Sequence, residues 1–304
     1  VGVPAGGTTL TNGLPSEIRV RPQGTDNRID LIAASFDWDA MPGRMTLKGG
    51  VDHKRYDFST YEFRRGTEVM FDPPAGTSVA SLTTQLTGFG SQLGMPAGNP
   101  TGWAIPNLPA IAAAYDIYCN CLRSGPANGP GDYTLASITN GNARGNNRAV
   151  VEKDLGFFLM AEFNADIGGL RLRGNAGVRH VQTKQSASGY LATGGGTPVT
   201  VDNEYSDTLP ALNLSTELTR DLLLRFAASK TMARPQLGQL NPGGSISTTG
   251  NLTINTGNPL LKPIRSTNTD LNLEWYPDRR SLVGLGLFHK KIGVYAQTLV
   301  QSMP

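Results

Sequence analysis

The chain has 304 residues, and Lys plus Arg exceed Asp plus Glu by only 27 − 24 = 3. So small a basic excess excludes the dense cationic face that grips a phosphate backbone, and no nucleic-acid partner is expected. Gly and Pro together number 37 + 20 = 57, above the usual share of about 12% but short of the roughly 25–30% of disordered chains, so the excess belongs in turns and long connections.

The opening, Val1-Gly2-Val3-Pro4-Ala5-Gly6-Gly7, has neither a basic n-region nor an apolar h-region, and it reads as the interior of a longer reading frame. The first two strands are expected at about 27–40 and 44–61, joined by the turn Met41-Pro42-Gly43-Arg44. Their signal is alternation: Met45, Leu47, Gly49 and Val51 fall on one face, and Thr46, Lys48, Gly50, Asp52 and Lys54 on the other. A long connection follows, about 62–148. Within it Leu108, Ile111, Ala112, Tyr115 and Tyr118 keep helical spacing. Asn107 serves as N-cap and Pro109 sits in the first turn, so a short amphipathic helix is expected, packing against its own loop. The longest apolar run, Ala110 to Tyr115, is far too short for a membrane helix of about 18 residues or more.

Cys119 and Cys121 flank Asn120. Two cysteines this close make either free or locally bridged loop thiols. Metal binding normally needs four ligands, and none is expected.

Strands three and four are expected at about 149–166 and 170–186, joined through Ile167-Gly168-Gly169. Leu170, Leu172, Gly174, Ala176 and Val178 oppose Arg171, Arg173, Asn175, Gly177 and Arg179. A connection at about 187–204 carries Gly194-Gly195-Gly196, a flexible turn before a strand rather than a phosphate loop before a helix. Strands five and six, about 205–218 and 222–233, meet at Thr219-Arg220-Asp221. After a connection at about 234–264, strands seven and eight, about 265–276 and 281–299, meet at Pro277-Asp278-Arg279-Arg280.

Short and long connections therefore alternate strictly. In an antiparallel up-and-down barrel this places every short turn at one rim and every long loop at the other, as in transmembrane barrels with short periplasmic turns and long extracellular loops. The expected strands reach the 9–11 residues a tilted membrane strand needs. Trp38, Phe163 and Trp275 each precede a short turn by two to four residues, the place of an aromatic girdle. The expected fold class is therefore all-β, a transmembrane β-barrel. If the apolar faces meet lipid, Lys48, Asp52, Glu162, Arg171, Arg173, Glu217, Arg225 and Glu274 form a polar wall facing the lumen. There they pair with neighbours, because a charge facing lipid costs about 2–4 kcal/mol at mid-membrane.

Catalytic chemistry finds no foothold. His53, His180 and His289 lie on three different expected strands with no metal-ligand spacing, and His53 and His180 fall near outer strand ends. No nucleophile elbow, phosphate loop or paired acid signature occurs, so neither an enzyme nor a cofactor is expected. Trp103, Tyr115, Tyr118 and Tyr133, in the first long connection, are the candidates to stack on a sugar ring or enclose an apolar ligand.

Three stretches carry a resemblance. Asp207-Thr-Leu-Pro-Ala-Leu-Asn-Leu214 with Leu224-Arg-Phe-Ala-Ala-Ser-Lys-Thr-Met-Ala-Arg-Pro235 looks like a barrel hairpin of TonB-dependent receptors. Thr256-Gly-Asn-Pro-Leu-Leu-Lys-Pro-Ile-Arg-Ser-Thr-Asn-Thr-Asp-Leu-Asn-Leu-Glu-Trp-Tyr276 continues it, and Gly169 to His180 resembles a preceding strand. The specific part covers about 170–295. The resemblance implies about eight strands of a 22-stranded barrel in the bacterial outer membrane, with residues 1–304 part of one barrel domain and the plug domain absent from the stretch. It further implies outer-membrane lipid around the barrel, a TonB complex engaging the plug region, and a scarce small-molecule or oligosaccharide ligand such as an iron chelate or cobalamin, the branch leaning toward carbohydrate. Two rival readings are a passive porin-like channel and a secreted β-sandwich that binds glycans as an adhesin. The sandwich requires a second sheet over the apolar faces.

Overall fold

The computed structural model describes residues 16–17, 19–71, 77–78, 80–94, 96, 98–123, 131–191, 196–247 and 253–300. The opening heptapeptide and Gly194-Gly195 lie outside the described residues. The chain forms two compact units, one from Val1–Gly24 and Tyr61–Asn147, the other from Thr25–Thr60 and Arg148–Pro304.

The second unit is built on one eight-stranded antiparallel sheet whose strands pair in chain order. They are β1 (Gln23–Met41), β2 (Met45–Glu62), β3 (Arg148–Ile167), β4 (Leu170–Tyr190), β5 (Pro198–Glu217), β6 (Leu222–Ala233), β7 (Ile264–Asp278) and β8 (Ser281–Ile292). All eight expected strands are present. The β3–β4 turn is the tightest: Gly168 and Gly169 have φ of 61° and 84°, the two positive values a two-residue hairpin of matching twist requires. The sheet is open, with β1 and β8 at its edges.

Two boundaries differ from expectation by more than four residues. β8 stops at Ile292 rather than near 299, because its partner β7 begins at Ile264 and the last ladder bond is Gly293 N–H to the Arg265 carbonyl. β5 begins at Pro198 rather than near 205, because β4 runs on to Tyr190 and pairs with it residue by residue. Backbone pairing carries these polar ends where apolar alternation has already faded.

Register sorts the two faces. Phe163, Gly174, Leu214, Phe226, Leu271 and Leu287 lie in one row across β3 to β8. Below and above it run further apolar residues, such as Leu170, Leu172 and Val178 on β4. Beyond this band the same face turns polar at His53, Lys153, His180, Thr208, Lys230 and His289. At that boundary His180 Nδ1 lies 3.0 Å from Thr208 Oγ1. The eight steps from Leu170 to Val178 span roughly 27 Å along the strand. At the tilt of about 35–45° common in membrane barrels this becomes roughly 19–22 Å, approaching the ~25 Å apolar band of such proteins.

Among the described residues no protein layer covers this band. Leu170 and Val178 are 40% and 42% exposed, and Leu287 is 62% exposed. Among the described residues the buried apolar side chains are Leu82, Tyr115, Tyr133, Ala143, Val150, Val181, Ala187 and Leu240. Those on the sheet, Val150, Val181 and Ala187, all belong to the opposite face by register. The β-sandwich reading is thus corrected: the second sheet it requires does not occur among the described residues.

The first unit gives the long connection a fold of its own. Helix α1 (Leu108–Tyr115) forms where expected. The Asn107 side chain accepts from Ala110 N–H at 3.1 Å, and Asp116 closes the helix in the left-handed region at φ 47°. Tyr118, counted in the expected stripe, lies beyond the helix. Tyr115 packs with Leu82 and Tyr133, joined by Ile111, Ile117 and Cys119. The Arg65 guanidinium stands 4.7 Å from the Tyr133 ring centroid and donates to the carbonyls of Ile117 and Cys119. Cys119 and Cys121 are joined by a disulfide, with Cα atoms 5.4 Å apart. Short hairpins such as Thr83–Leu86 with Trp103–Pro106 complete the unit.

Candidate functional site

The polar face of the sheet is a ladder of alternating charge. By register Lys48 (β2), Glu162 (β3), Arg173 (β4), Glu217 (β5), Arg225 (β6) and Glu274 (β7) share this face. The sign changes at every strand. Lys48 pairs with Glu162 at 2.9 Å, Arg173 with Glu217 at 3.7 Å and Arg225 with Glu274 at 3.0 Å. Such partly exposed pairs contribute about 0–1 kcal/mol each, so they keep the face hydrated and neutral rather than hold the sheet together. Arg171 shares the face but has no ion-pair partner among the described residues. With Arg173, Asn175, Asn213 and Arg225 it lines a groove of ≈ 630 Å³. Asp52 lies farther from the short turns, is buried, and is met by Arg179 and, at 4.0 Å, by Lys54.

Toward the long-loop end this face carries buried acids that the expected wall did not include. Glu152, Asp154 and Asp207 are 3%, 1% and 6% exposed. Arg234 reaches Glu152 at 3.4 Å and Asp154 at 2.9 Å. Thr183 donates to Asp154 at 2.7 Å and Gln185 donates to Glu152. Arg265 pairs with Asp207, one contact at 3.1 Å. This part of the strands lies beyond the apolar band. Burial there pushes the Glu152 carboxyl above its usual range and the Tyr205 phenol up to about 12. The sequence held a signal for these groups: continuing the parity of Glu162 outward along β3 leads to Asp154 and Glu152.

Arg234 belongs to the connection between β6 and β7, and that connection folds onto the polar face. Its Leu240 is fully buried with Val150 and Ala187, and Phe58, Leu237 and Leu261 pack around them. Gly243 sits so close to the Tyr190 backbone that any Cβ there would collide with it, so the closest approach needs glycine. The polar face is therefore the one onto which the β6–β7 connection folds.

The aromatic candidates separate. Tyr115 and Tyr133 are buried in the core of the first unit and present no ring to a ligand. Trp103 stacks edge-to-face on Phe89 with centroids 5.0 Å apart and keeps an open side, and Tyr118 is 82% exposed. Among the described residues no group of His, Cys, Asp and Glu is arranged to hold a metal ion.

The model of the family described as TonB dependent receptor-like, beta-barrel, matches residues 3–301. No curated protein matches the chain. Among solved structures the chain is similar to the ferric citrate transporter FecA in its unliganded form, at 14% identity and a TM-score of 0.40, covering 89% of this chain and 28% of that one. It is similar also to the ferric-catecholate import receptor Fiu of E. coli K12 in its closed form, at 14% identity and a TM-score of 0.42, covering 89% and 32%. A third is the siderophore receptor PiuA of Acinetobacter baumannii, at 11% identity and a TM-score of 0.39, covering 88% and 32%. The chain thus spans under a third of the length of each.

Proposed function

Because this chain belongs to the TonB-dependent receptor β-barrel family, we propose that its sheet is part of the wall of an outer-membrane receptor importing a scarce solute with energy supplied through TonB. One observation carries the reading: an uncovered apolar band on one face, backed by an ion-paired polar face into which a long connection folds. In this reading residues 1–304 are one portion of a barrel domain, and β1 and β8 offer their open edges to further strands. Outer-membrane lipid solvates the apolar band. Lys48, Asp52, Glu162, Arg171, Arg173, Glu217, Arg225 and Glu274 face the aqueous interior, where an N-terminal plug region would sit and pass on the TonB contact. The ligand is a small molecule or oligosaccharide. Iron chelates fit the named activities of the structural relatives, and carbohydrate remains in the set. No covalent chemistry is required, since ligand binding at the mouth biases a conformational equilibrium.

The test is uptake by cells expressing the full-length protein, offered labelled ferric siderophores, cobalamin and oligosaccharides with and without a proton uncoupler. Accumulation of one of them against its gradient, lost with the uncoupler, is the expected result. Uncoupler-insensitive flux that stops at equal concentrations would establish the passive channel instead. With the ligand in hand, Trp103→Ala and Tyr118→Ala are each expected to weaken its binding about tenfold, the scale of one lost stacking contact. Unchanged affinity in both removes the first long connection from the site.

A further inference from the structure

The sheet is not zipped along its whole height. β4 and β5 stay paired as far as Tyr190 and Pro198, and β6 and β7 as far as Ala233 and Ile264. Between β5 and β6, however, the ladder ends at Ala211 and Ser229. Outward of that point residues 207–210 of β5 and 230–233 of β6 have no register partner in each other's strand. Pro210, which has no N–H to donate, stands at the fork. A cleft of ≈ 430 Å³ opens there, with Pro210, Ala211, Ser229 and Lys230 in its lining. The fork lies at the outer limit of the apolar band, where Lys230 and Thr231 are exposed. Water can satisfy backbone groups at that height, whereas hydrocarbon would leave them unpaired.

Parity identifies what holds the fork open. Asp207 has the parity of Asn213 and belongs to the polar face, whereas Arg265 has the parity of Leu271 and belongs to the apolar face. A continuous wall would set the two side chains on opposite sides. Yet Arg265 pairs with Asp207, one contact at 3.1 Å. The contact requires the outer end of the β6–β7 ribbon to step inward past β5, and Arg234, where β6 ends, then reaches Glu152 and Asp154. The hydroxyls of Thr231 and Ser266, 2.8 Å apart, and Asn268, which donates to Thr231 at 3.2 Å, tie the ribbon together. The existing β5–β6 register extends without a shift to Pro210 with Lys230, Leu209 with Thr231, Thr208 with Met232 and Asp207 with Ala233. Such an extension would return Arg265 to the apolar side and break its pair with Asp207. The ion pair and the longer ladder therefore exclude one another.

We propose that the outer β5–β6 seam is a two-state gate: an open fork clasped by Arg265 and Arg234, and a zipped wall that draws the β6–β7 connection off the polar face. Two mutually exclusive arrangements are what a ligand at the mouth needs in order to bias one of them. The gate goes beyond the import reading and requires only the sheet. Cross-linking tests it in the full-length protein in phosphatidylcholine vesicles, carrying Cys119→Ser and Cys121→Ser, with copper phenanthroline as oxidant. Three cysteine pairs on the polar face are compared. Asn213→Cys with Ala227→Cys are partners in the existing ladder. Leu209→Cys with Thr231→Cys become partners only in the zipped seam, and Leu209→Cys with Ala227→Cys are out of register in both states. The seam pair is expected to bridge roughly tenfold more slowly than the ladder pair. Asp207→Asn and Arg265→Gln each unmake the clasp, and each should speed the seam pair roughly tenfold while leaving the out-of-register pair unchanged. The two variants are independent, so loss of folding in one leaves the other to decide. Once the seam bridge has formed, amide exchange over residues 237–243 should rise roughly tenfold. A seam pair as fast as the ladder pair in the clasped protein, no acceleration in either variant, equal acceleration of the out-of-register pair, or unchanged exchange after bridging overturns the proposal. Failure of the ladder pair itself to bridge would refute the β5–β6 register and the gate with it.

Discussion

Leu271→Arg is expected to lower the stability of the bilayer-inserted protein by about 2–4 kcal/mol, the cost of a charge facing mid-membrane lipid. Leu271 lies in the central apolar row between Phe226 and Leu287 and is 39% exposed. Among the described residues no protein group stands over it to accept a guanidinium. Its neighbour Asn272 is on the polar face, opposite Arg225. Asn272→Arg is therefore expected to stay within about 1 kcal/mol, since water reaches that face and the added repulsion is screened. Denaturant titration of the full-length protein folding into phosphatidylcholine vesicles measures both variants. In detergent-free water, by contrast, an arginine on an apolar surface would improve solubility. The sign of the Leu271→Arg effect thus separates a lipid-facing band from one that merely happens to be exposed.

The second large effect is expected at Arg234. It is the only cation in ion-pair contact with Glu152 and Asp154 among the described residues, and both carboxylates are almost fully buried. Removing one partner from a buried ionic group costs about 3–5 kcal/mol when the remaining charge stays dry. Here the protein has a cheaper response: the β6–β7 connection can lift and admit water. Arg234→Ala is therefore expected to act locally, raising amide exchange over residues 237–243 roughly 100-fold, equivalent to about 3 kcal/mol of lost local stability. The β3–β4 ladder should keep its protection. Adding Glu152→Gln and Asp154→Asn to Arg234→Ala should restore most of the protection, since neither site would then bury a charge. Exchange unchanged in Arg234→Ala would mean that Leu240 and its apolar neighbours hold the connection without the ionic clasp.

The strands were legible because a sheet with one uncovered apolar face and one charged face imposes a strict period of two. Leu170 to Arg179 shows it residue by residue, and the turn chemistry at Gly168 and Gly169 marked where the chain reverses. Legibility failed where alternation gave way to backbone pairing, at the start of β5 and the end of β8. In those places the partner strand, not the side chains, decides the boundary. The ion pairs of the polar wall followed from parity alone, although parity does not say that charge alternates in sign from strand to strand. That fact emerges only when register aligns Lys48, Glu162, Arg173, Glu217, Arg225 and Glu274. The loop aromatics were the least legible. Tyr115 and Tyr133 look alike in sequence to Tyr118, yet the first two fill the core of their own unit. Long-range packing inside the 87-residue stretch Tyr61–Asn147 leaves no periodic trace. The role of Arg234 was hidden for a similar reason: its acids lie about 80 residues earlier in the chain.

Single cysteines along β4, in a background of Cys119→Ser and Cys121→Ser, test the central claim most directly. Spin labels at 170, 172, 176 and 178 and at 171, 173, 175 and 179 would be read in bilayers of the full-length protein for collision with oxygen, which concentrates in lipid, and with a water-soluble nickel complex. Strict alternation is predicted, the even positions relaxing with oxygen and the odd positions with nickel. Nickel accessibility at both sets, or protection of both from either reagent, would contradict a wall with lipid on one side and water on the other.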